Sequence, residues 1–254
     1  LLSQSKTDEA KDKLDKTGDK TSTTDKKSSD DDDESEESFG SEVAGFFFGL
    51  FLKGFGGIFF NIPLGEDFPT QNIYYYKYPY SSADNNSFRN ADSGGSVLTQ
   101  TSFSLGRSFE DPFNSYALAS NLNFYGWALK IKYRFVDEFN ASNTLQYFSG
   151  KLERKSRAFN NMDMGDGLGV DKIKIGNDNY TGLSLGYNLD IFFKYNFSLN
   201  FNPNVMFYNG ETIPDFITSV NYHKKKYYFG LEYERLNIIG VVFNSLSFRS
   251  GLYF

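Results

Sequence analysis

Residues 127–136 read WALKIKYRFV: Trp127, Leu129, Ile131, Tyr133 and Phe135 alternate with Ala128, Lys130, Lys132, Arg134 and Val136. At two residues per repeat, one side of a strand is apolar while the other carries three cations, and no helix keeps this period. The same grammar recurs outward from this stretch. Leu183, Leu185, Tyr187 and Leu189 alternate with Ser184, Gly186, Asn188 and Asp190, and Phe193 to Asn202 continues the pattern. Tyr227, Phe229, Leu231 and Tyr233 alternate with Tyr228, Gly230, Glu232 and Glu234. Weaker versions occupy 97–109, 115–124, 143–154 and 215–223, and 242–254 completes the set.

Joints between these runs carry information too. Phe124 and Trp127 have opposite parity yet both border an apolar face, as a two-residue hairpin loop at 125–126 requires. Short turns are expected at 136–142 and 223–226, and long loops at 64–95 and 155–179, the latter rich in Gly, Asn and Asp. Parity never breaks between Thr181 and Phe207, so an odd-length turn near 190–192 or one very long strand is needed, and the turn is preferred. Nine strands follow residue 96, and the Phe/Gly-rich stretch 46–62, FFFGLFLKGFGGIFFNI, supplies a tenth. An eight-strand count is the alternative, with 181–207 continuous and 46–62 outside the sheet.

Composition divides the chain. Of 254 residues, 28 are Phe and 18 are Tyr, none is Cys, and the formal net charge is −6. Residues 1–44 alone hold 7 Lys and 14 Asp or Glu, leaving residues 45–254 at +1. That acidic segment has almost nothing apolar to bury and is expected to be disordered. The opening LLSQS looks like the end of a secretory leader. A thiolate metal site and disulfides are excluded, and an anion or nucleic-acid path is disfavoured because the strand region is nearly neutral.

Large aromatics and leucines on one face of nearly every strand, with amides, small residues and charges on the other, fit a closed membrane barrel better than a sandwich. The expected fold is therefore an all-β, antiparallel, up-and-down transmembrane barrel of ten strands over 45–254, preceded by the tail 1–44. Lys130, Lys132, Arg134, Glu232, Glu234 and Arg249 fall on its inner face. A final loop centred near Gly240 and Val241 would set Glu232 opposite Arg249.

The chain ends SLSFRSGLYF, with Leu246, Phe248, Leu252 and Phe254 sharing one parity. This ending resembles the terminal strand of bacterial outer-membrane β-barrel proteins, although Ser250 stands where an apolar residue is usual. The resemblance implies residence in the bacterial outer membrane, contact with its lipid, and the four apolar residues as a signal for the barrel-assembly machinery.

Chemistry is sparse. His223, the single histidine, sits in a lysine-rich turn and reads as solvated. The stretch NMDMGDGLGVD at 161–171 misses the spacing of a calcium loop. No catalytic residue, metal or cofactor is expected. The function expected is non-enzymatic, structural, adhesive or partner-binding through the long loops or the tail, with a narrow pore or transporter for small solutes as the alternative.

Overall fold

The computed structural model describes residues 5–19, 98–108, 112–124, 127–139, 142–159 and 162–254. Ten antiparallel strands form a closed barrel in which each strand pairs with its chain neighbours and the last pairs with the first. They are β1 (Leu98–Arg107), β2 (Phe113–Phe124), β3 (Trp127–Glu138), β4 (Leu145–Phe159), β5 (Met162–Ile175), β6 (Asp178–Phe192), β7 (Phe197–Tyr208), β8 (Glu211–Lys224), β9 (Tyr227–Ile238) and β10 (Val241–Tyr253). Closure runs from Gln100 opposite Tyr253 to Arg107 opposite Leu246, so no edge strand is left to seek a partner.

The expected number of strands is present, but its membership is corrected. The tenth strand is β5, within the region expected to be the loop 155–179, and the barrel closes through β1 and β10 without 46–62. Residues 46–62 and the expected loop 64–95 lie outside the described residues. The glycines that suggested a loop are a feature of packing. Gly165, Gly167 and Gly169 share the inner face, where a Cβ on Gly167 would stand 2.5 Å from Glu153 Cγ, and one on Gly169 2.4 Å from Lys151 Cγ. Long inward side chains of β4 occupy the space that side chains on β5 would need.

The odd turn between β6 and β7 exists and lies beyond its expected place. Phe192 pairs with Ser198 around a short 3-10 turn, Lys194–Asn196, in which Tyr195 and Asn196 have φ of 65° and 67°. Phe193 therefore belongs to the turn, and the alternation of 193–202 ran past the strand's true start. At the last hairpin the turn is Ile239–Gly240, both at positive φ, and Glu232 faces Ser247 while Arg249 faces Gly230. That register is two residues away from the expected one.

Part of the segment expected to be disordered is folded. Lys6–Asp19 forms helix α1, while residues 20–44 lie outside the described residues. Local signals favour this helix: Ser5 Oγ accepts from the Asp8 backbone N–H at 3.1 Å and donates to the Asp8 carboxylate at 2.8 Å. Lys11 pairs with Asp15 and Lys13 with Glu9, both four residues apart. Thr7, Ala10, Leu14 and Thr17 form one buried stripe.

Strand polarity has one sense throughout. Leu118, Leu129, Leu152, Leu183, Leu231 and Phe248 are exposed around the outer waist. Aromatics flank them: Phe193, Tyr195, Phe197, Tyr222, Tyr227 and Phe254 at the end holding the barrel's termini, and Phe139 and Phe207 at the distal end. Inside, the distal mouth is apolar and the middle polar, and Leu98, Phe192, Tyr228 and Tyr253 are buried toward the end holding the termini.

The closing seam offers a sharp test. A Cβ on Gly251 would lie 2.2 Å from the Tyr228 ring and 2.4 Å from the Thr101 carbonyl oxygen. Gly251→Ala is expected to cost about 1–3 kcal/mol by overpacking, read as a lowered midpoint for the heat-dependent gel shift of the folded barrel.

Candidate functional site: the charged lumen and its helical cap

Alternation places Lys130, Lys132 and Arg134 of β3 inward at successive heights, and closure sets β9 across the lumen from them. Lys132 Nζ contacts a Glu234 carboxylate oxygen, and Arg134 Nε holds the other at 3.1 Å. Arg134 has no exposed surface and also donates from Nε to Ser115 Oγ at 3.2 Å and from Nη2 to Ser245 Oγ at 3.5 Å. Asp215 of β8 stands 4.0 Å from Lys132, on the wall five strands away. Lys130 pairs with Glu153 at 2.9 Å and reaches Asn202 across the lumen at 3.4 Å. Burial of an unpaired charge costs several kcal/mol, so these mutual arrangements are what allow the charges to be inside.

Glu232 and Arg249 are in contact despite the shifted register. Their carboxylate oxygen and Nη1 are 3.1 Å apart, diagonal across β9 and β10. Arg249 also donates to Ser219 at 3.4 Å and Ser102 at 3.2 Å, and its guanidinium lies 5.5 Å from the centre of the Tyr228 ring. Five of the six charged residues singled out from the sequence thus fall into two clusters, Lys132 and Arg134 with Glu234, and Glu232 with Arg249, while Lys130 pairs with Glu153 of β4.

Sequence reasoning missed other members of this interior. Tyr147 donates to Asp171 at 2.6 Å and Asn204 donates to the same oxygen at 2.7 Å. Lys155 lies 3.8 Å from Asp190, whose carboxylate accepts from Asn188 and Asn200. Inward parity in β4, β6 and β7 was the available signal. His223 is corrected: it is buried at the end of β8, with Nε2 2.7 Å from Ser198 Oγ and Nδ1 3.1 Å from Tyr253 OH. The lysines after it misled, because the strand runs to Lys224 and the turn is only Lys225–Lys226. Residues 161–171, weighed as a calcium loop, fall largely in β5, and no acidic or His cluster suited to a metal occurs among the described residues.

Between the β3 cluster and the end holding the termini lies a cavity of about 150 Å³. Asn121, Asn188, Asn200, Lys151 and Asp190 are on its wall, which makes it polar.

Helix α1 covers the distal mouth. Ala10 and Leu14 pack with Phe113, Val136, Leu145, Ile175 and Phe243 in one buried cluster. The Glu138 carboxylate accepts from the Lys6 and Thr7 backbone N–H groups, both at 2.9 Å, completing the free donors of the first turn. Asn143 donates to Asp8 at 2.8 Å, Lys11 pairs with Asp178 at 2.9 Å, and Tyr180 donates to Asp15.

Partial burial raises the Asp8 and Asp15 carboxyls, but hydrogen bonds overcome it, from Asn143 and Ser5 for Asp8 and from Lys11 and Tyr180 for Asp15. Both end below the ordinary carboxylate value. Lys11 is raised above the ordinary lysine value by its hydrogen bonds to Asp15 and Asp178.

No protein-family model matches the sequence, and no curated protein matches it. Solved structures with which it shares features include the KdgM porin in complex with disordered oligogalacturonate, at 9% identity and TM-score 0.32 over 62% of this chain and 97% of that one. Neisserial surface protein A aligns at 12% identity and TM-score 0.28, over 62% of this chain and 94% of that one. The attachment invasion locus protein Ail of Yersinia pestis aligns at 10% identity and TM-score 0.29, over 62% and 97%. At these values the likeness is confined to barrel architecture.

Two outcomes are expected of this site. Arg249→Ala and Glu232→Ala each lower the gel-shift midpoint, and together they lower it by less than the separate effects combined, as contacting residues do; Glu234→Ala, which strands two buried cations, lowers it further than Glu232→Ala. For α1, lowered carboxyl values mean that ionised Asp8 and Asp15 favour the docked helix. Their contribution is complete above the ordinary carboxylate pKa of about 4 and is lost as pH falls through the lowered values. Protection of the α1 amides against hydrogen exchange, corrected for the intrinsic rate at each pH, should stay flat above about pH 5 and fall only below about pH 4.

Proposed function

We propose that the protein is a non-enzymatic, integral barrel of the bacterial outer membrane, with a structural or partner-binding role and a sealed lumen. The observation that carries the sealed reading is the set of bonds joining opposite walls, Lys132 and Arg134 to Glu234 and Lys132 to Asp215, beneath the α1 cap. A diffusing solute would have to break desolvated ion pairs and displace a packed helix. A passive pore lined by water has neither obstacle.

Membrane residence is supported by the outer surface. An aliphatic waist between two aromatic bands is costly in water and favourable at the two interfaces of a bilayer, and closure leaves no backbone group of the sheet to satisfy in lipid. Strands of 10 to 15 residues suffice for the crossing. No described helix is long and apolar enough to cross a membrane, which does not bear on strands. Leu246, Phe248, Leu252 and Phe254 all lie on the outer face, where the assembly machinery would meet them as β10 arrives.

Of the two loops expected to carry that role, 155–179 is largely strand β5, whereas 64–95 lies outside the described residues. Two-residue turns join β5 to β6, β7 to β8, β8 to β9 and β9 to β10, so the described connections offer little surface for adhesion. The capped mouth offers more.

Fractionation is expected to place the folded protein in the outer membrane, and recovery from the soluble periplasm would overturn that. In planar bilayers the purified full chain should show no sustained current at moderate voltage. A steady ohmic conductance would replace the sealed barrel by a pore.

A further inference from the structure

The distal mouth is built as a receiving surface. Its apolar ring, including Phe113, Val136, Leu145 and Phe243, is buried together with only two apolar side chains of α1, Ala10 and Leu14. A free helix of 14 residues is marginal in water, so α1 owes its order to docking. Around the apolar centre stand groups that select rather than merely hold. Glu138 accepts from the first-turn N–H groups, Asn143 donates to Asp8, Asp178 pairs with Lys11, and Tyr180 donates to Asp15. Lys6 Nζ donates to the Val242 carbonyl oxygen at 2.9 Å. Each contact joins α1 to a strand end or turn of the barrel, and none belongs to a strand ladder. The ladders that close the barrel are independent of them.

We propose that the distal mouth is a helix-docking socket that recognises one amphipathic helix by its charge pattern, and that α1 is the chain's own ligand in it, able to leave while the barrel stays closed. The helix that fits carries a small apolar stripe at spacing three and four, cations at the places of Lys6 and Lys11, and carboxylates at the places of Asp8 and Asp15. When α1 leaves, the ring of apolar residues at the mouth becomes an exposed patch of the kind that marks interaction sites. Local stability differs in the right direction, because an element held by two apolar side chains and partly exposed pairs opens before a closed ten-strand sheet does.

The test uses the full chain in detergent and a fluorescent synthetic peptide of residues 5–19. Leu14→Asp in the full chain unseats its own α1 and vacates the socket; Ala10→Arg does the same by a different clash. Heat-dependent gel mobility confirms that each variant's barrel is closed. The peptide is expected to bind either variant at least tenfold more tightly than it binds the unaltered chain, whose socket is occupied. Adding Glu138→Gln and Asp178→Asn to Leu14→Asp is expected to weaken peptide binding about tenfold or more, and a peptide carrying Leu14→Asp should not bind. Equal binding to the vacated and unaltered chains, or none to both closed variants, would overturn the socket. So would loss of the closed barrel in both variants, since α1 would then be part of the barrel's own fold. Fractionation and conductance are measured separately, so the membrane reading and the socket fail independently.

Discussion

Pairing of β1 with β10 is the constraint on which the other features depend. Once the sheet closes, its backbone donors and acceptors are satisfied within the wall, and every strand acquires an inside and an outside. The inside of a ten-strand barrel is narrow. Side chains as long as Lys132, Arg134 and Glu234 therefore reach the opposite wall and must find each other there. An open sheet with the same residues would leave them in water, where such pairs contribute little. Within the closed wall the same pairs become cross-braces, and removal of one partner leaves a charge stranded in a poorly solvated space.

Narrowness also explains the glycines. Inward side chains on adjacent strands compete for one cross-section, and β5 yields by presenting Gly165, Gly167 and Gly169 where β4 presents Lys151 and Glu153. At the seam, Gly251 likewise accommodates the Tyr228 ring. Long polar side chains and bare backbone are thus two halves of one packing solution. Where the lumen meets the distal mouth the solution changes. Phe113, Ile173, Ile175, Ile213 and Phe243 turn the inner face apolar, and a helix rather than water covers it.

This axial change gives the molecule two distinct parts. The middle is braced by charges that cross from wall to wall, and the mouth is closed by a segment from outside the sheet. Bracing is local to the barrel and would survive departure of α1. The cap depends on contacts with turns and strand ends, where the described backbone is least constrained by pairing on both sides.

Period-two alternation by itself determined the all-β class, the inward sense of Lys130, Lys132, Arg134, Glu232, Glu234 and Arg249, and the outward sense of the final apolar residues, because side-chain direction along a strand needs no knowledge of neighbours. The antiparallel hairpin at Phe124 and Trp127 was equally local. Strand β5 was not legible as a strand, since its glycines answer to Lys151 and Glu153 on another strand, although their spacing of two was a hint. Helix α1 carried readable local signals in Ser5, Asp8, Lys11 and Asp15, but its low apolar content concealed that the barrel mouth supplies the missing apolar surface. The final register moved by two because the backbone conformation of Ile239 and Gly240, rather than parity, sets the turn's centre. The pair of Glu232 and Arg249 lies on neighbouring strands and was readable from the last hairpin. That Glu234 meets Lys132 and Arg134, and that Arg249 meets Ser102, was decided only by closure: it brings together residues a hundred or more positions apart, a proximity that no local pattern encodes.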